Sequence, residues 1–241
     1  MTLREREFFK IYQGIFDEGT LKTLAMLARK RFFDSIDFPV STGKEADVYR
    51  ASKGPEFLAV KIYRIETSNF KAMQNYLTGD RRFGRVKASK RGIVEAWCQK
   101  EYRNLREALD AGVNVPYPIH AEKNILIMSF LGDAHGAPFP LLKSVRVKNP
   151  SKLIKTLASF VKKMWKHGLV HGDLNEFNVM MDGEKPLLID IGQAMSTSHP
   201  IALELLERDL ASIAKLAKKY NVAFDSEKEL KSIVKRDARE R

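Results

Sequence analysis

The hydrophobic pattern changes at Gly132, with short strand-like runs before it and long helical patterns after it. Before this glycine, the runs VSTGKEADVYRA and FLAVKIY flank turn residues at 53–56 and predict a β-hairpin. After it, apolar residues recur at helical spacing over 150–167, and residues 200–220 also show a helical pattern. This order predicts an α+β fold with two lobes, a small β-rich one and a helical one, that meet at residues 128–132.

The same pattern divides the chain into three regions. Residues 1–35 are expected to form an N-terminal helical extension, residues 36–131 the β-rich lobe and residues 132–241 the helical lobe. Inside the β-rich lobe, residues 64–89 are polar, basic and weakly periodic, so we expect a long flexible insertion there. A helix is predicted to follow this insertion, over residues 90–111.

Positive charge is unevenly distributed along the chain. The sequence holds 42 Lys and Arg against 30 Asp and Glu, a formal net charge of +12, which favours an anionic partner. One basic cluster falls in the predicted insertion, and a second lies where no acidic residue occurs between Asp133 and Asp173. The second cluster is a lysine stripe on the helix predicted over 150–167, made of Lys152, Lys155, Lys162, Lys163 and Lys166. These clusters predict a surface for RNA, and a merely solvated helix face is the alternative.

Cysteine content and hydropathy indicate the compartment. Cys98 is the single cysteine and cannot form an intrachain disulfide. The sequence shows neither a signal-peptide pattern nor an apolar stretch long enough to span a bilayer. We therefore expect a cytoplasmic protein without a membrane partner.

The segment HGDLNEFN, residues 171–178, carries the most specific chemical pattern. Asp173 and Asn178 are five positions apart, as in the H-R-D-x-x-x-x-N loop of kinases, and Asp190 stands where D-F-G would begin. Mg²⁺ prefers oxygen ligands, so Asn178 and Asp190 are predicted to hold the metal. Asp173 is then the catalytic residue that orients or deprotonates the nucleophile. The alternative is that Asp173 and Asn178 only stabilise a turn.

A second set of residues joins a strand to a helix. Lys61 lies inside the apolar run LAVKIY, where a lysine is costly unless it is paired. Glu101 interrupts an apolar face of the helix predicted over 90–111 and is the expected partner, with Glu95 as the alternative. A Lys–Glu pair of this kind positions the ATP phosphates in kinases. The opposing interpretation places Lys61 on an edge strand with its amine in solvent.

The segment STGKEADVY, residues 41–49, is predicted to lie between two strands, where a phosphate-covering loop belongs. It holds a single glycine, Gly43, so it does not match G-x-G-x-x-G. It is not a Walker A motif either, because position 38 is phenylalanine and no helix follows.

Six segments together resemble the RIO family of atypical serine protein kinases: STGKEADVY, KIYRIETSNF, GDRRF, HGDLNEFNVMM, IDIGQA and HPIALELLERD. The resemblance covers residues 21–220. The resemblance favours the first branch of that family, of archaeal type. HGDLNEF and STSHP are more similar to the second branch, but the residues before STGKEADVY leave no room for the winged-helix domain of that branch. The resemblance implies a bilobal protein-kinase-like fold that binds ATP and Mg²⁺ or Mn²⁺ in its cleft.

The family's site residues are carried onto matching positions of this chain. The resemblance implies that Lys61 contacts the ATP phosphates, that Glu101 pairs with it, and that Asp190 binds metal and also accepts phosphate as a transient aspartyl-phosphate. The hinge that binds adenine is expected at Met128, Ser129 and Leu131. The phosphate-covering segment is expected to comprise Ser41, Thr42, Gly43, Lys44, Glu45, Ala46 and Val48.

The chain also departs from ordinary kinases. The 51 residues after Asp190 contain no A-P-E, and Gly172 replaces the arginine of H-R-D. We therefore expect a reduced helical lobe without an activation loop or peptide-binding helices. The resemblance implies an ATP-dependent serine/threonine kinase or ATPase that acts in small ribosomal subunit maturation. Its partner would be the immature particle and its rRNA, bound through basic surfaces, and its protein substrate is not specified.

Two other function classes share parts of the pattern. Aminoglycoside- and choline-type phosphotransferases also carry an HGDL segment followed by ID, but their pockets are usually acidic, which the charge of +12 disfavours. A catalytically silent RNA-binding scaffold would have no need of Lys61, Asn178 and Asp190 together.

Overall fold

A five-stranded antiparallel sheet forms the first lobe. The structure is a computed structural model that describes residues 16–80, 82–83, 86–87 and 89–240, with side chains up to residue 235. The strands are β1 (Ser35–Thr42), β2 (Ala46–Lys53), β3 (Glu56–Tyr63), β4 (Pro118–Glu122) and β5 (Ile125–Ser129). Their order in the sheet is β1-β2-β3-β5-β4. Strands β2 and β3 pair along their whole length, which confirms the predicted hairpin.

Helices cover both faces of this sheet. Helix α1 (Glu18–Arg29) begins after Asp17, whose carboxylate accepts hydrogen bonds from two N–H groups of the first turn. Successive residues of β3 point to opposite faces, so Val60 packs in the same apolar cluster as α1. Ala59 packs on the other side with helix α3 (Lys90–Asp110). The first 15 residues of the predicted N-terminal extension lie outside the described residues.

The prediction of a flexible insertion over 64–89 is wrong for the middle of that segment, which is helical. Helix α2 (Phe70–Leu77) begins after Asn69, whose side-chain oxygen accepts a backbone N–H of the first turn at 3.2 Å. Its residues Met73 and Leu77 are one turn apart, share a face and are buried. They join the core cluster that also contains α3 residues. Burial of these two side chains therefore stabilises a helix within a segment whose charge favoured a loop.

Three α-helices, one short 3₁₀ helix (Leu142–Ser144) and two small antiparallel pairs of strands form the described part of the second lobe. The α-helices are α4 (Pro150–Lys166), α5 (Ala202–Lys219) and α6 (Ser226–Glu240). The strands are β6 (Leu169–Val170), β7 (Val179–Asp182), β8 (Lys185–Leu188) and β9 (Met195–Ser196), with β6 pairing with β9 and β7 with β8. This arrangement confirms the two-lobed α+β prediction. Among the described residues, the helices are too short or too polar to cross a bilayer.

Arg50 connects the two lobes beside the hinge. Its guanidinium donates to the Gly136 carbonyl at 3.1 Å and to Asp37 at 2.8 Å. It also lies 4.3 Å from the Phe38 ring centroid and 4.5 Å from that of Phe57. Gly136 has a φ of +78°, and a β-carbon there would come within 2.3 Å of the guanidinium, so only glycine fits. We call this set of contacts the Arg50 clasp.

Candidate active site

A cavity of about 620 Å³ lies at the junction of the lobes. Eleven of the predicted nucleotide-binding residues line it: Ser41, Gly43, Lys44, Glu45, Ala46, Val48, Lys61, Glu101, Met128, Ser129 and Leu131. The predicted metal ligands Asn178 and Asp190 line it as well. Thr42 does not, since neighbouring strand residues point to opposite faces and Ser41 is the one that faces the cavity. Asp173 lies outside the lining and contacts the side chain of Asn178.

Lys61 binds two carboxylates at one wall of the cavity. Its ammonium donates to both carboxylate oxygens of Glu101, at 2.9 and 2.8 Å, and to Oδ1 of Asp190 at 2.9 Å. Only 9% of the Lys61 side chain and 2% of the Glu101 side chain are exposed. Glu95 lines a separate surface cavity. The structure thus brings Lys61, Glu101 and Asp190 together and leaves Glu95 apart from them.

The charged groups of this cluster shift one another's pKa values. Burial by itself lowers the pKa of the Lys61 amine, but the carboxylates of Asp190 and Glu101 outweigh burial and raise that pKa. Burial raises the pKa of Glu101 to about 7, against the opposing effect of Lys61. The Lys61 charge lowers the pKa of Asp190, against burial. At neutral pH the cavity therefore contains a charged lysine and an ionised Asp190.

Asp190 has a left-handed backbone conformation, with a φ of +56°. This region is uncommon for residues with a side chain, although aspartate enters it more readily than most. The Asp190 side chain lines the cavity, and 57% of it is accessible to solvent. A ligand can therefore reach the carboxylate while Lys61 holds one of its oxygens.

Asp173 and Asn178 contact each other directly. The Asn178 side-chain amide donates to the Asp173 carbonyl at 2.9 Å and to its carboxylate at 3.0 Å. These bonds use the amide nitrogen, and no described residue donates to the amide oxygen, which stays available to a cation. Burial raises the pKa of Asp173, the bond from Asn178 opposes it, and the Asp190 charge adds to the rise. A carboxylate of raised pKa is suited to accept a proton.

Asp209 holds the backbone of the loop that carries Asp173, and it was not identified from the sequence. Its carboxylate, in α5, accepts the Gly172 N–H at 2.9 Å and the Leu174 N–H at 3.1 Å, on either side of Asp173. Gly172 has a φ of +79°, so glycine serves the backbone here as well as replacing the arginine. Burial raises the pKa of Asp209 to about 7. The signal was available, because Asp209 interrupts an apolar helix face just as Glu101 does.

His171 is buried beside this loop as a neutral ring. Its Nδ1 accepts the Asp173 N–H at 3.2 Å, and its Nε2 has no hydrogen-bond partner among the described residues. Burial lowers the pKa of His171 to about 4, against the opposing charge of Asp190. The imidazolium form is therefore disfavoured in the folded state.

We expect the protein to lose stability through His171 as the pH falls from 6.5 to about 4. In that window the unfolded chain binds a proton at His171 and the folded chain does not, so acidification favours unfolding, by about 3 kcal/mol at most. Urea unfolding of the wild-type protein and His171→Gln across this range measures the effect. The variant should lose less stability on acidification, and two parallel curves would contradict the assignment.

Two side-chain oxygen groups could hold a divalent cation, the carboxylate of Asp190 and the amide of Asn178. Mg²⁺ is commonly bound by one or two carboxylates together with substrate phosphates and water. In the part of the chain that the structure describes, no group of three or more His, Cys, Asp or Glu could hold a metal ion. A cation at this site would therefore take its other ligands from phosphate and water.

Comparison with known proteins gives consistent results. A family profile described as "RIO domain" matches residues 47–230. The protein named RIO-type serine/threonine-protein kinase Rio1 from Haloferax volcanii is 37% identical over 228 residues, which cover 94% of this chain and 78% of that protein. The Rio1 of Methanocaldococcus jannaschii is 40% identical over 224 residues, or 91% and 76% of the two chains. Among solved structures, the Rio2 kinase-ADP/Mg²⁺-phosphoaspartate complex from Chaetomium thermophilum aligns with a TM-score of 0.68 and 21% identity, over 92% of this chain and 76% of that one. This last likeness concerns the fold.

Proposed function

The chain belongs to the RIO family of atypical protein kinases, is of Rio1 type and is an enzyme of that class, and on this basis we propose that it binds ATP with Mg²⁺ or Mn²⁺ in the cavity between its lobes. The observation that carries the proposal is the joint contact of Lys61 with Glu101 and Asp190 at the wall of that cavity. Membership in this family disfavours the small-molecule phosphotransferase and silent-scaffold alternatives.

The cavity offers distinct surfaces for the two ends of a nucleotide. At the hinge, the Leu131 carbonyl accepts the Phe139 N–H at 3.0 Å, while the Leu131 N–H makes no hydrogen bond with the described residues. That N–H can therefore donate to an adenine nitrogen, and Val48 and Met180 supply apolar surface for the ring. The phosphates would then extend toward Lys61.

The proposed chemistry assigns one task to each polar side chain. The Lys61 charge neutralises phosphate oxygens, Asp173 orients a hydroxyl nucleophile and accepts its proton, and Asn178 fixes the Asp173 carboxylate. A bound divalent cation would add charge neutralisation at the β- and γ-phosphates. The acceptor is a serine or threonine hydroxyl or, in the ATPase mode, Asp190 itself.

The ATPase mode would pass through a covalent intermediate on the protein. One carboxylate oxygen of Asp190 attacks the γ-phosphorus, the bond to the β–γ bridging oxygen breaks, and ADP leaves with that electron pair. Water then hydrolyses the acyl phosphate, which restores the carboxylate and releases inorganic phosphate and a proton. The accessibility of Asp190 and its lowered pKa support this role. A phosphoaspartate is present in the Rio2 kinase complex that shares this fold.

We expect phosphate from ATP to label Asp190 transiently. Acyl phosphates are cleaved by hydroxylamine, whereas serine phosphates are stable to it. Protein incubated briefly with γ-labelled ATP should therefore carry label that hydroxylamine removes and that Asp190→Asn lacks. Asp182→Asn, a change at an exposed aspartate in the same lobe, should keep the label. Label that survives hydroxylamine would contradict the aspartyl-phosphate.

We also propose that the lysine stripe contributes to binding rRNA of the immature small ribosomal subunit, in the cytoplasm. The stripe is less uniform than its sequence suggested, because Lys152 pairs with Glu184 at 3.3 Å, Lys162 pairs with Glu229 at 3.2 Å, and Lys163 donates to a backbone carbonyl at 3.0 Å. Lys155 stays exposed. The pairs are solvent-exposed and weak, so phosphate groups can compete with their carboxylates.

Reversing Lys152 and Lys155 to glutamate should weaken binding to a folded small-subunit rRNA transcript and flatten its salt dependence. Each lost phosphate contact should lower the slope of log affinity against log salt by about 1. Lys30→Glu with Lys53→Glu, exposed positions of the first lobe, changes the net charge equally and serves as the control. Equal losses in both double variants would leave net charge alone as the explanation and remove the stripe from the proposal.

A further inference from the structure

Helix α3 binds the backbone that follows Asp190. In the turn at 191–194, the side-chain amide of Asn104 donates to the Ile191 carbonyl at 2.8 Å and to the Ala194 carbonyl at 2.8 Å. The Lys100 amine donates to the Gly192 carbonyl at 2.8 Å and also to the Ala194 carbonyl. Three carbonyls of one short turn are thus bound by two side chains from a single helix.

The burial of Lys100 indicates that its hydrogen bonds to the turn, and not apolar packing, account for a lysine at this position. Lys100 and Asn104 are both 0% exposed. No carboxylate lies within ion-pair distance of the Lys100 amine among the described residues, and the charged groups near it are Arg82, Asp80 and Glu107. An apolar side chain of similar length would fill this space without the cost of burying an amine. The carbonyl contacts are what lysine supplies and an apolar residue cannot.

The same helix also acts on the Asp190 side chain, through a chain of two ion pairs. Glu101, adjacent to Lys100, binds Lys61, and Lys61 binds the Asp190 carboxylate. Helix α3 therefore acts on the Asp190 side chain through Lys61 and on the backbone after Asp190 through Lys100 and Asn104. A residue in the left-handed region needs such support, because that conformation is not favoured locally.

We propose that Lys100 and Asn104 are positioning residues that hold the turn at 191–194 and thereby set the Asp190 carboxylate for the metal and the phosphates. The inference rests on the proposed function for the role of Asp190. It adds two residues that touch neither nucleotide nor cation and that act through the backbone of the turn.

Lys100→Met and Asn104→Ala remove the donors, and Arg106→Met is the matched control, since Arg106 is an exposed residue of the same helix. Hydrogen exchange reads out the turn directly, because the Ala194 N–H donates to the Ile191 carbonyl at 3.1 Å. Both variants should speed exchange at residues 192–195 relative to wild type and to the control. Lys100→Met tests the amine, and Asn104→Ala keeps the test decisive if Lys100→Met fails to fold.

Metal dependence separates positioning from a general loss of stability. Outer-shell changes commonly weaken metal affinity about 10–100-fold, so the Mn²⁺ concentration for half-saturation of the ADP complex should rise at least about tenfold in both variants. ADP affinity without metal should stay within about twofold of wild type. A uniform loss of active protein would leave the half-saturation of the remaining folded fraction unchanged.

The outcomes distinguish this inference from the proposed function. Wild-type exchange at 192–195 together with unchanged Mn²⁺ half-saturation in a folded variant would overturn the positioning role. If the wild-type protein itself neither binds ADP with Mn²⁺ nor turns over ATP, the proposed function fails. In that case the exchange measurement still decides whether Lys100 and Asn104 hold the turn.

Discussion

Asp173→Ala is expected to lower ATP turnover by about 10³-fold while nucleotide binding stays within about twofold of wild type. The reason is that Asp173 lies outside the cavity lining and contacts Asn178, so its loss leaves Lys61 and Asp190 in place to bind phosphate and cation. Only the step that needs an oriented or deprotonated nucleophile is lost. Phosphate release and titration calorimetry with ADP and Mg²⁺ measure the two quantities separately.

Asp190→Ala should behave differently in the same assays. It removes the carboxylate that binds Lys61 and that is predicted to bind the cation, so both turnover and metal-dependent ADP binding should fall. Asp182→Ala, at an exposed aspartate of the same lobe, should change neither. Wild-type turnover in Asp173→Ala, or unchanged metal-dependent binding in Asp190→Ala, would show that the roles are wrongly assigned.

Lys61→Met is expected to cost about 3–5 kcal/mol of folding stability, because it leaves the Glu101 carboxylate buried without its cation. Glu101→Leu should cost less, since Lys61 keeps Asp190 as a partner whose side chain reaches solvent. The double variant should be more stable than Lys61→Met alone, because no unpaired buried charge remains. Urea unfolding at neutral pH measures all three.

The unfolding free energy of Lys61→Met should also depend on pH, which tests the same contact between Lys61 and Glu101. Burial already raises the pKa of Glu101 to about 7, and removing Lys61 takes away the effect that lowers it. The folded Lys61→Met protein therefore holds a proton on Glu101 that the unfolded chain releases above a pH of about 4.3. Folded wild-type protein binds the same proton only below a pH of about 7, so the stability deficit of the variant should shrink as the pH falls toward about 7 and should not change further through Glu101 below it. Lys152→Met, which breaks only an exposed pair, should stay within about 0.5 kcal/mol of wild type at every pH.

The sequence predicted well those features that depend on local pattern. The helices α3, α4 and α5 follow from apolar spacing, and their ends agree with the structure within two residues. The run VSTGKEADVYRA was predicted as one strand, whereas the structure divides it between the end of β1 and the start of β2. The contact between Lys61 and Glu101 was predictable because each is a charge inside an apolar pattern, and such charges need partners. Asp209 meets the same criterion and could have been found by it.

Other features depend on contacts that a pattern does not record. Helix α2 exists because two side chains are buried against α3, which its basic composition does not reveal. Lys100 and Asn104 bind backbone carbonyls 87 to 94 positions away, and any residue type can supply a carbonyl. The exclusion of Thr42 from the cavity, although Ser41 and Gly43 line it, depends on which face of β1 each residue occupies.

The Arg50 clasp contributes one hydrogen bond that crosses between the lobes, from its guanidinium to the Gly136 carbonyl. Asp37, Phe38 and Phe57 belong to the same sheet as Arg50, so their contacts fix the position of the guanidinium within the first lobe. Separation of the lobes in parallel would break the bond to Gly136, whereas rotation about Arg50 would preserve it. Rotation about the hinge edge is therefore the opening motion that keeps this bond, and it widens the cleft at the opposite edge. A nucleotide would then enter and leave through that opposite edge, while the Arg50 bond keeps the hinge side closed.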